Sequence, residues 1–379
     1  MKTICLISGS SPEFLGGISL YQRNLIEYSK RNNLNFDFIW IYPGDKNRKY
    51  KLEGIQCIEV NSFEYPFLKE FNFARKARKI INRTYFDIIS THANWGYCLK
   101  GYKKKKNQKI IHTYHGVTYY FYKTHLNRFN LFKKLLILPS LLLSYFIEKP
   151  PIKKANKIIC VSERVKREIS ELYGVKNNYT VLRTGVDLNE FSKHESFESR
   201  KKLGLEKNKL YGLYVGRGGY FRKGLDRAIS ISEKIYKKNK NYKLIVVGPD
   251  RKKVKRFIEK EFVIYIERGE RDLLPLYYSA CDVFYFLSRY EGGAPTLVTS
   301  EAMASECFIV FSEDSEQEII EDKKDGLVVK EYGEKEANKI LEILSNKKEL
   351  NIIKKNASNK IKKYDLNSWA KSYFEVLKK

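Results

Sequence analysis

A chain of 379 residues, 43 % hydrophobic and carrying a formal charge of +28, is longer than one hydrophobic core usually serves, so two domains are expected. The six cysteines (Cys5, Cys57, Cys98, Cys160, Cys281, Cys307) form no CxxC pair; this argues against a disulfide framework or a zinc ribbon and for small buried thiols in a reducing compartment. The opening MKTICLISGSSPEF has one lysine and a short apolar run, so neither a signal peptide nor a transmembrane start is expected, and the expected location is the cytoplasm.

The charge is uneven. Residues 1–190 hold 33 Lys/Arg against 15 Asp/Glu, and Lys100 to Lys157 hold 14 basic residues against the single acid Glu148. Such a bias attracts phosphate, whether on nucleotides, nucleic acid or anionic lipid headgroups.

In chain order, KTICLISG, FDFIWIYP, FDIISTH, KIIHTYHG, KIICVS and YTVLRTG read as strands. Helical stretches such as SLYQRNLIEYSKRN and SERVKREISELYG lie between them, the second opened by Ser162 as a cap. The alternation restarts with LYGLYVGRG, YKLIVVGPD, FVIYIERG, DVFYFLS, CFIVFS and GLVVK. The expected class is therefore α/β, with one doubly wound domain over residues 1–190, a second over 191–364, and a terminal helix over 365–379 that carries Trp369, Tyr373 and Phe374 on one face.

Ligands of such sheets bind at the carboxyl ends of the strands, and the motifs sit there. In SGSSPEFLGGISL, Gly16 and Gly17 lead into a helix whose free amides suit a phosphate or a sugar hydroxyl. THANWG and HTYHG each end a strand on a histidine, His92 and His115. In VGRGGYFRKGLDRA, Gly216 and Arg217 follow a strand and Lys223 precedes a glycine and a helix, two cations suited to a diphosphate whose charge grows as it leaves carbon. In SRYEGGAPTLVTSEAMA, Glu291 and Glu301 flank Gly292, Gly293, Ala294, Pro295, Thr296 and Leu297; carboxylates accept from sugar hydroxyls, and a helix start holds phosphate.

Taken in order, Gly16-Gly17, His115-Gly116, IICVSE, RTGVD, GR…RKG, SRYEG, SEAMA, EIIEDKKDGLVV and Trp369 resemble glycosyltransferase family 4, retaining enzymes of the GT-B fold. The resemblance runs over nearly the whole chain. It implies two Rossmann-like domains facing across a cleft, the terminal helix returning to the first, with acceptor held by the first domain and a nucleotide-sugar donor mainly by the second. It also implies that Arg217 and Lys223 neutralise the donor diphosphate and that Glu301 binds the ribose. Glu291 and the stretch Gly292 to Leu297 would hold the transferred sugar, with His115 on its other side. Gly16, Gly17 and Gly216 join the donor contacts, and His92 is a candidate acceptor contact. Retention in this family is explained by front-face attack, with the leaving phosphate oxygen taking the acceptor proton. No metal and no cofactor are expected, since there is no DxD motif.

One departure matters. The family's two glutamates have seven residues between them, whereas Glu291 and Glu301 have nine. The extra residues are absorbed in the glycine-rich loop if Glu291 keeps its role; the alternative puts Gly293 in the first-glutamate position.

The segment NLFKKLLILPSLLLSYFIEKPPIKK is basic and apolar, but its longest uncharged run, Leu135 to Ile147, contains Pro139 and is short of the roughly 20 residues a span needs. It reads as a packed helix or as an interfacial one meeting anionic lipid, and with Lys103 to Lys106 nearby it suggests a peripheral membrane contact and a glycan or lipid-linked acceptor. Two other functions share parts of this pattern. A nucleotide-sugar 2-epimerase would use the same fold and turn over its donor without an acceptor. A nucleic-acid-binding protein would explain the charge, but no reader motif is present, so no specific nucleic-acid partner is expected.

Overall fold

The computed structural model describes residues 1–14, 16–62, 68–126, 131–175, 178–216, 220–248, 250–267 and 269–378. The chain forms two units, Met1–Thr184 with Asn367–Lys379, and Gly185–Leu366.

The first unit has strands β1 (Lys2–Ile7), β2 (Phe36–Gly44), β3 (Arg48–Leu52), β4 (Ile55–Asn61), β5 (Ile88–His92), β6 (Lys109–Tyr114), β7 (Lys157–Cys160) and β8 (Tyr179–Val181). Its helices are α1 (Gly17–Arg31), α2 (Leu68–Arg83), α3 (Thr118–Leu126), α4 (Leu131–Lys154) and α5 (Glu163–Tyr173). The sheet order is β3-β4-β2-β1-β5-β6-β7-β8. Every pairing is parallel except that of β3 with β4, an edge hairpin the sequence reading did not anticipate; β3, RKYKL, is short and highly charged, which hides its pattern. Ser162 caps α5 by accepting from the Val165 amide, as expected from its sequence.

The second unit has β9 (Leu210–Val215), β10 (Tyr242–Val247), β11 (Val263–Ile266), β12 (Val283–Phe286), β13 (Ile309–Ser312) and β14 (Leu327–Val329), ordered β11-β10-β9-β12-β13-β14 and all parallel. The covering helices are α6 (Ser196–Lys202), α7 (Leu225–Lys238), α8 (Arg251–Ile258), α9 (Leu274–Ala280), α10 (Leu297–Ala304), α11 (Glu334–Ser345) and α12 (Lys347–Ile361). The inner strands β12 and β13 are buried along their whole length and β9 and β10 over most of it, and all four are rich in apolar residues, as the interior of a parallel sheet requires, whereas the edge strand β11 is half-buried. In each sheet the order reverses once, between β1 and β5 and between β9 and β12. Those switch points are where a doubly wound sheet opens a crevice for ligand.

The unit boundaries fall at 184/185 and 366/367, not at the expected 190/191 and 364/365. Val186 and Phe191 are buried in the core of the second unit, and Val186 bonds through its backbone to Tyr364 and Leu366. Helix α13 (Leu366–Lys378) packs in the first unit. Its Trp369 meets Tyr21 with ring centroids 4.6 Å apart, and Phe374 stacks on Tyr28 and Phe36 at 5.9 and 5.4 Å. Burying each such aromatic contributes about 2 kcal/mol or more.

Helix α4 differs from the expectation of a segment too short to span. The helix continues through Pro139, Pro150 and Pro151, and the stretch Lys134–Lys154 is long and apolar enough to cross a membrane by length and composition, with 28 % of it buried in the protein. The uncharged-run count missed this because Glu148 and Lys149 interrupt the run but not the helix. Ser144, Ile147 and Glu148 are buried, while Leu135, Leu136, Leu138, Leu142 and Phe146 are exposed.

Candidate active site

In the second unit the chain leaves β9 at Gly216 and β12 at Leu287, the two neighbours of the switch point. Two loops run side by side there. The Arg289 amide donates to the Arg222 carbonyl at 2.7 Å, and the Arg289 guanidinium holds Asp226, in the first turn of α7, with two bonds of 2.7 and 2.6 Å. Between them, Gly224 begins α7 at φ +73°, and a Cβ there would lie 2.0 Å from the Leu287 carbonyl oxygen. Only glycine allows that backbone and that approach. The RKG spacing thereby fixes Lys223 against the SRYEG loop.

Lys223 Nζ lies 2.6 Å and Arg222 Nη1 2.8 Å from the same Glu291 carboxylate oxygen. Burial by itself would raise the Glu291 carboxyl, but Lys223, then Arg222, outweigh it and hold the group below the usual carboxylate range. Burial likewise pulls the Lys223 ammonium below its ordinary value, against the attraction of Glu291. The trio carries two positive charges and one negative. A group of that balance, partly exposed at Lys223, suits an anion that adds negative charge.

Gly292, Gly293, Ala294 and Pro295 then lead to Thr296, which caps α10. The Thr296 hydroxyl accepts from the Thr299 amide at 3.3 Å while Thr299 Oγ1 accepts from the Thr296 amide at 2.9 Å. Helix starts leave first-turn amides without internal acceptors, so Leu297 opens a helix with donor capacity. Gln317 fastens the loop, accepting from the Thr299 hydroxyl at 3.2 Å and donating to the Gly293 carbonyl at 3.5 Å. A Cβ at Gly293 would come no nearer than 3.4 Å to its neighbours.

Glu301 is buried in α10. Its carboxylate accepts from Tyr278 at 3.1 Å and from Arg271 at 3.3 Å, and Arg271 also holds Glu190 at 3.0 Å. Burial raises the Glu301 carboxyl above its ordinary value; Arg271 and then Tyr278 only partly offset it.

In the first unit, Gly16 and Gly17 stand at the start of α1, and His92 and His115 end or follow β5 and β6 beside the switch point. His92 Nδ1 and His115 Nε2 are 3.0 Å apart, and Tyr21 of α1 meets both rings edge-on at 5.8 and 4.8 Å. Burial pulls His115 down to about 3 and His92 well below the ordinary histidine value. Both are neutral at physiological pH.

The structure thus joins Lys223, Glu291 and the Gly292–Leu297 loop in one unit, and Gly16, Gly17, His92 and His115 in the other. Arg217 lies outside the described residues, as do Gly218 and Gly219. Arg222, Arg271, Tyr278 and Gln317 were not found from the sequence. Arg222 is adjacent to Lys223 and could have been weighed with it; Arg271 stands in RDLL with no signal to separate it from other surface cations.

Comparisons with known proteins bear on the family and the fold. Residues 15–190 match the model of Glycosyltransferase Family 4, and residues 195–360 match that of Glycosyl transferases group 1. An uncharacterized glycosyltransferase of Methanocaldococcus jannaschii is 26 % identical, covering 96 % of this chain and 94 % of its own. Among solved structures, sucrose-phosphate synthase of Thermosynechococcus elongatus shares the fold with a TM-score of 0.83 at 19 % identity, covering 100 % of this chain and 98 % of that one. Anabaena HepE, solved with UDP-glucose, superposes with a TM-score of 0.71 at 14 % identity and full coverage of both chains, 100 % each. The fold is that of a GT-B glycosyltransferase. The chain belongs to the family 4 glycosyltransferases.

Proposed function

We propose that the protein is a retaining glycosyltransferase that moves a sugar from a UDP-sugar to a hydroxyl of a lipid-linked glycan, in cell-surface polysaccharide or glycolipid synthesis. The observation that carries the donor half is the Lys223–Glu291–Arg222 trio at the carboxyl end of β12, set beside the start of α10. A donor diphosphate placed there meets Lys223 and the first-turn amides, with Arg217 as the expected second cation. Glu291, already ionised, accepts hydroxyls of the transferred sugar, and Glu301 accepts those of the ribose. The choice of UDP is supported by HepE, whose structure holds UDP-glucose.

As the bond from the anomeric carbon to phosphate breaks, negative charge grows on the leaving oxygen, and Lys223 stabilises it without rearrangement. In front-face attack that same oxygen takes the acceptor proton, so the sugar keeps its configuration and no metal ion is called on. His115, neutral and half-buried, is the first unit's candidate for a contact with the transferred sugar.

The lipid half is supported by α4. Leu135, Leu138, Leu142 and Phe146 recur at helical spacing and are 60, 44, 54 and 60 % exposed, and Lys134, Lys149, Lys153 and Lys154 flank them. Apolar residues ringed by lysines suit the interface of an anionic membrane, which would make the protein a peripheral one on the cytoplasmic face.

A thermal-shift screen against UDP, GDP, ADP and TDP tests the donor reading, since a ligand that binds only the folded state raises its melting temperature. UDP is expected to give the largest shift; a larger one with another nucleotide overturns the assignment. Product analysis by NMR reads the anomeric configuration and separates transfer from epimerisation.

A further inference from the structure

We infer that His115 is set in one neutral tautomer, with its proton on Nδ1, by a buried chain of hydrogen bonds running from Tyr373 of α13 through Ser90 and His92. The geometry is that of the first unit alone. Tyr373 Oη and Ser90 Oγ are 2.9 Å apart, Ser90 Oγ and His92 Nε2 are 3.2 Å apart, and His92 Nδ1 and His115 Nε2 are 3.0 Å apart. Tyr373, Ser90 and His92 are 2, 0 and 0 % exposed, so each of their protons needs a partner inside the chain.

Each link has two possible directions, and one end decides among them. The Tyr373 hydroxyl has one hydrogen-bond partner among the described residues, Ser90 Oγ. If Ser90 donated to Tyr373, the phenol proton would be buried without an acceptor, so Tyr373 donates. Ser90 then has its own proton to place, and His92 Nε2 is the acceptor at hand. A neutral imidazole that accepts at Nε2 carries its proton on Nδ1, and that proton goes to His115 Nε2. His115, neutral because of its burial, must then carry its own proton on Nδ1.

If His115 faces the transferred sugar, as the proposed function has it, its remaining capacity is that of a donor and not an acceptor. Ser90, His92 and Tyr373 are positioning residues; they touch no ligand, but they determine that a sugar oxygen, and not a sugar hydroxyl proton, is what His115 reads. They also explain why a histidine sits at position 92, where the sequence suggested an acceptor contact: it is fully buried and spends both ring nitrogens on the chain's own groups.

The test is made on the free full-length protein with 15N-labelled histidine, a spectrum simplified by there being only five histidines. Long-range 1H–15N correlation identifies the protonated ring nitrogen of His115 without reference to activity. The expected result is Nδ1–H alone in the unmodified chain. Ser90→Ala and Tyr373→Phe are expected to give both tautomers, and Ser90→Thr, which keeps the hydroxyl, to restore the single one. His115 protonated on Nε2 in the unmodified chain overturns the inference, as does an unchanged single tautomer in Ser90→Ala. Because the readout needs no donor, a result in its favour alongside full transfer activity in His115→Ala would uphold the relay and sink only the sugar-facing role of His115.

Discussion

The Lys223 ammonium sits 2.6 Å from the Glu291 carboxylate, and Arg222 holds the same oxygen at 2.8 Å. The pairing resolves what each charge does before any donor arrives. Glu291 is kept ionised, and Lys223 is kept in place on a glycine-defined loop. The second cation leaves the trio with a net positive charge, the balance on which the proposed phosphate contact rests.

Removing Lys223 should therefore cost catalysis and not folding. Lys223→Ala leaves Arg222 on Glu291, so no buried carboxylate is stranded, and the stability change should stay under about 2 kcal/mol. Transfer should fall by roughly a hundredfold or more, the scale of one lost transition-state charge contact. Arg217→Ala should show a comparable loss. Steady-state rates and thermal unfolding of the two variants check this.

Glu291→Gln and Gly293→Ala separate the two readings of the loop. A methyl group at Gly293 meets nothing closer than 3.4 Å, so Gly293→Ala should fold normally and keep most activity. Glu291→Gln should lose roughly tenfold or more in kcat/KM. The reverse order would put Gly293 in the family's first-glutamate position.

The same carboxylate predicts an acid-sensitive increment of stability. Its folded value lies below the ordinary 4.5, so its contribution is complete above that value and is lost as pH falls through the lower folded one. Glu291→Gln should flatten that part of the profile of melting temperature against pH while leaving the neutral-pH limb parallel to the parent.

Arg271 should tune nucleotide affinity through Glu301. Arg271→Met leaves the buried Glu301 with Tyr278 alone and raises its carboxyl further. UDP affinity by calorimetry should drop about tenfold. The loss should grow as pH falls, because burial raises the Glu301 carboxyl and the protonated acid accepts fewer ribose hydroxyls.

The exposed face of α4 should be dispensable for folding and needed at a membrane. Leu138→Glu with Leu142→Glu should leave the melting temperature within about 2 °C and reduce co-sedimentation with anionic phospholipid vesicles by tenfold or more. Ile147→Ala, in the buried face of the same helix, should cost about 2–4 kcal/mol. Equal binding of the parent chain to neutral and anionic vesicles would remove the membrane reading.

Much of the fold is legible because parallel strands such as LYGLYV and YKLIVV, the latter interrupted only by Lys243, are dominated by apolar residues and end on glycine or polar turns. The hairpin of β3 and β4 is not, since RKYKL is stabilised by its neighbours and not by an apolar pattern. Site residues that follow strands directly, such as His115 and Gly216, can be placed by that rule. Arg222 and Arg271 cannot: their meaning depends on Glu291 and Glu301, which are 69 and 30 positions away along the chain. Direction within the histidine relay is also beyond sequence, because it is set by a tyrosine 283 positions from the serine it meets.

The chain passes from the first unit into the second and returns for α13. On the ribosome, the lobe begun first is therefore finished last, after the whole of its partner has emerged. Until Trp369 and Tyr373 arrive, Tyr21 lacks two of its ring contacts and Ser90 lacks the hydroxyl that meets it. A nascent product interrupted before that helix would carry the whole of the second unit and a first unit lacking the aromatic contacts of Trp369, Tyr373 and Phe374.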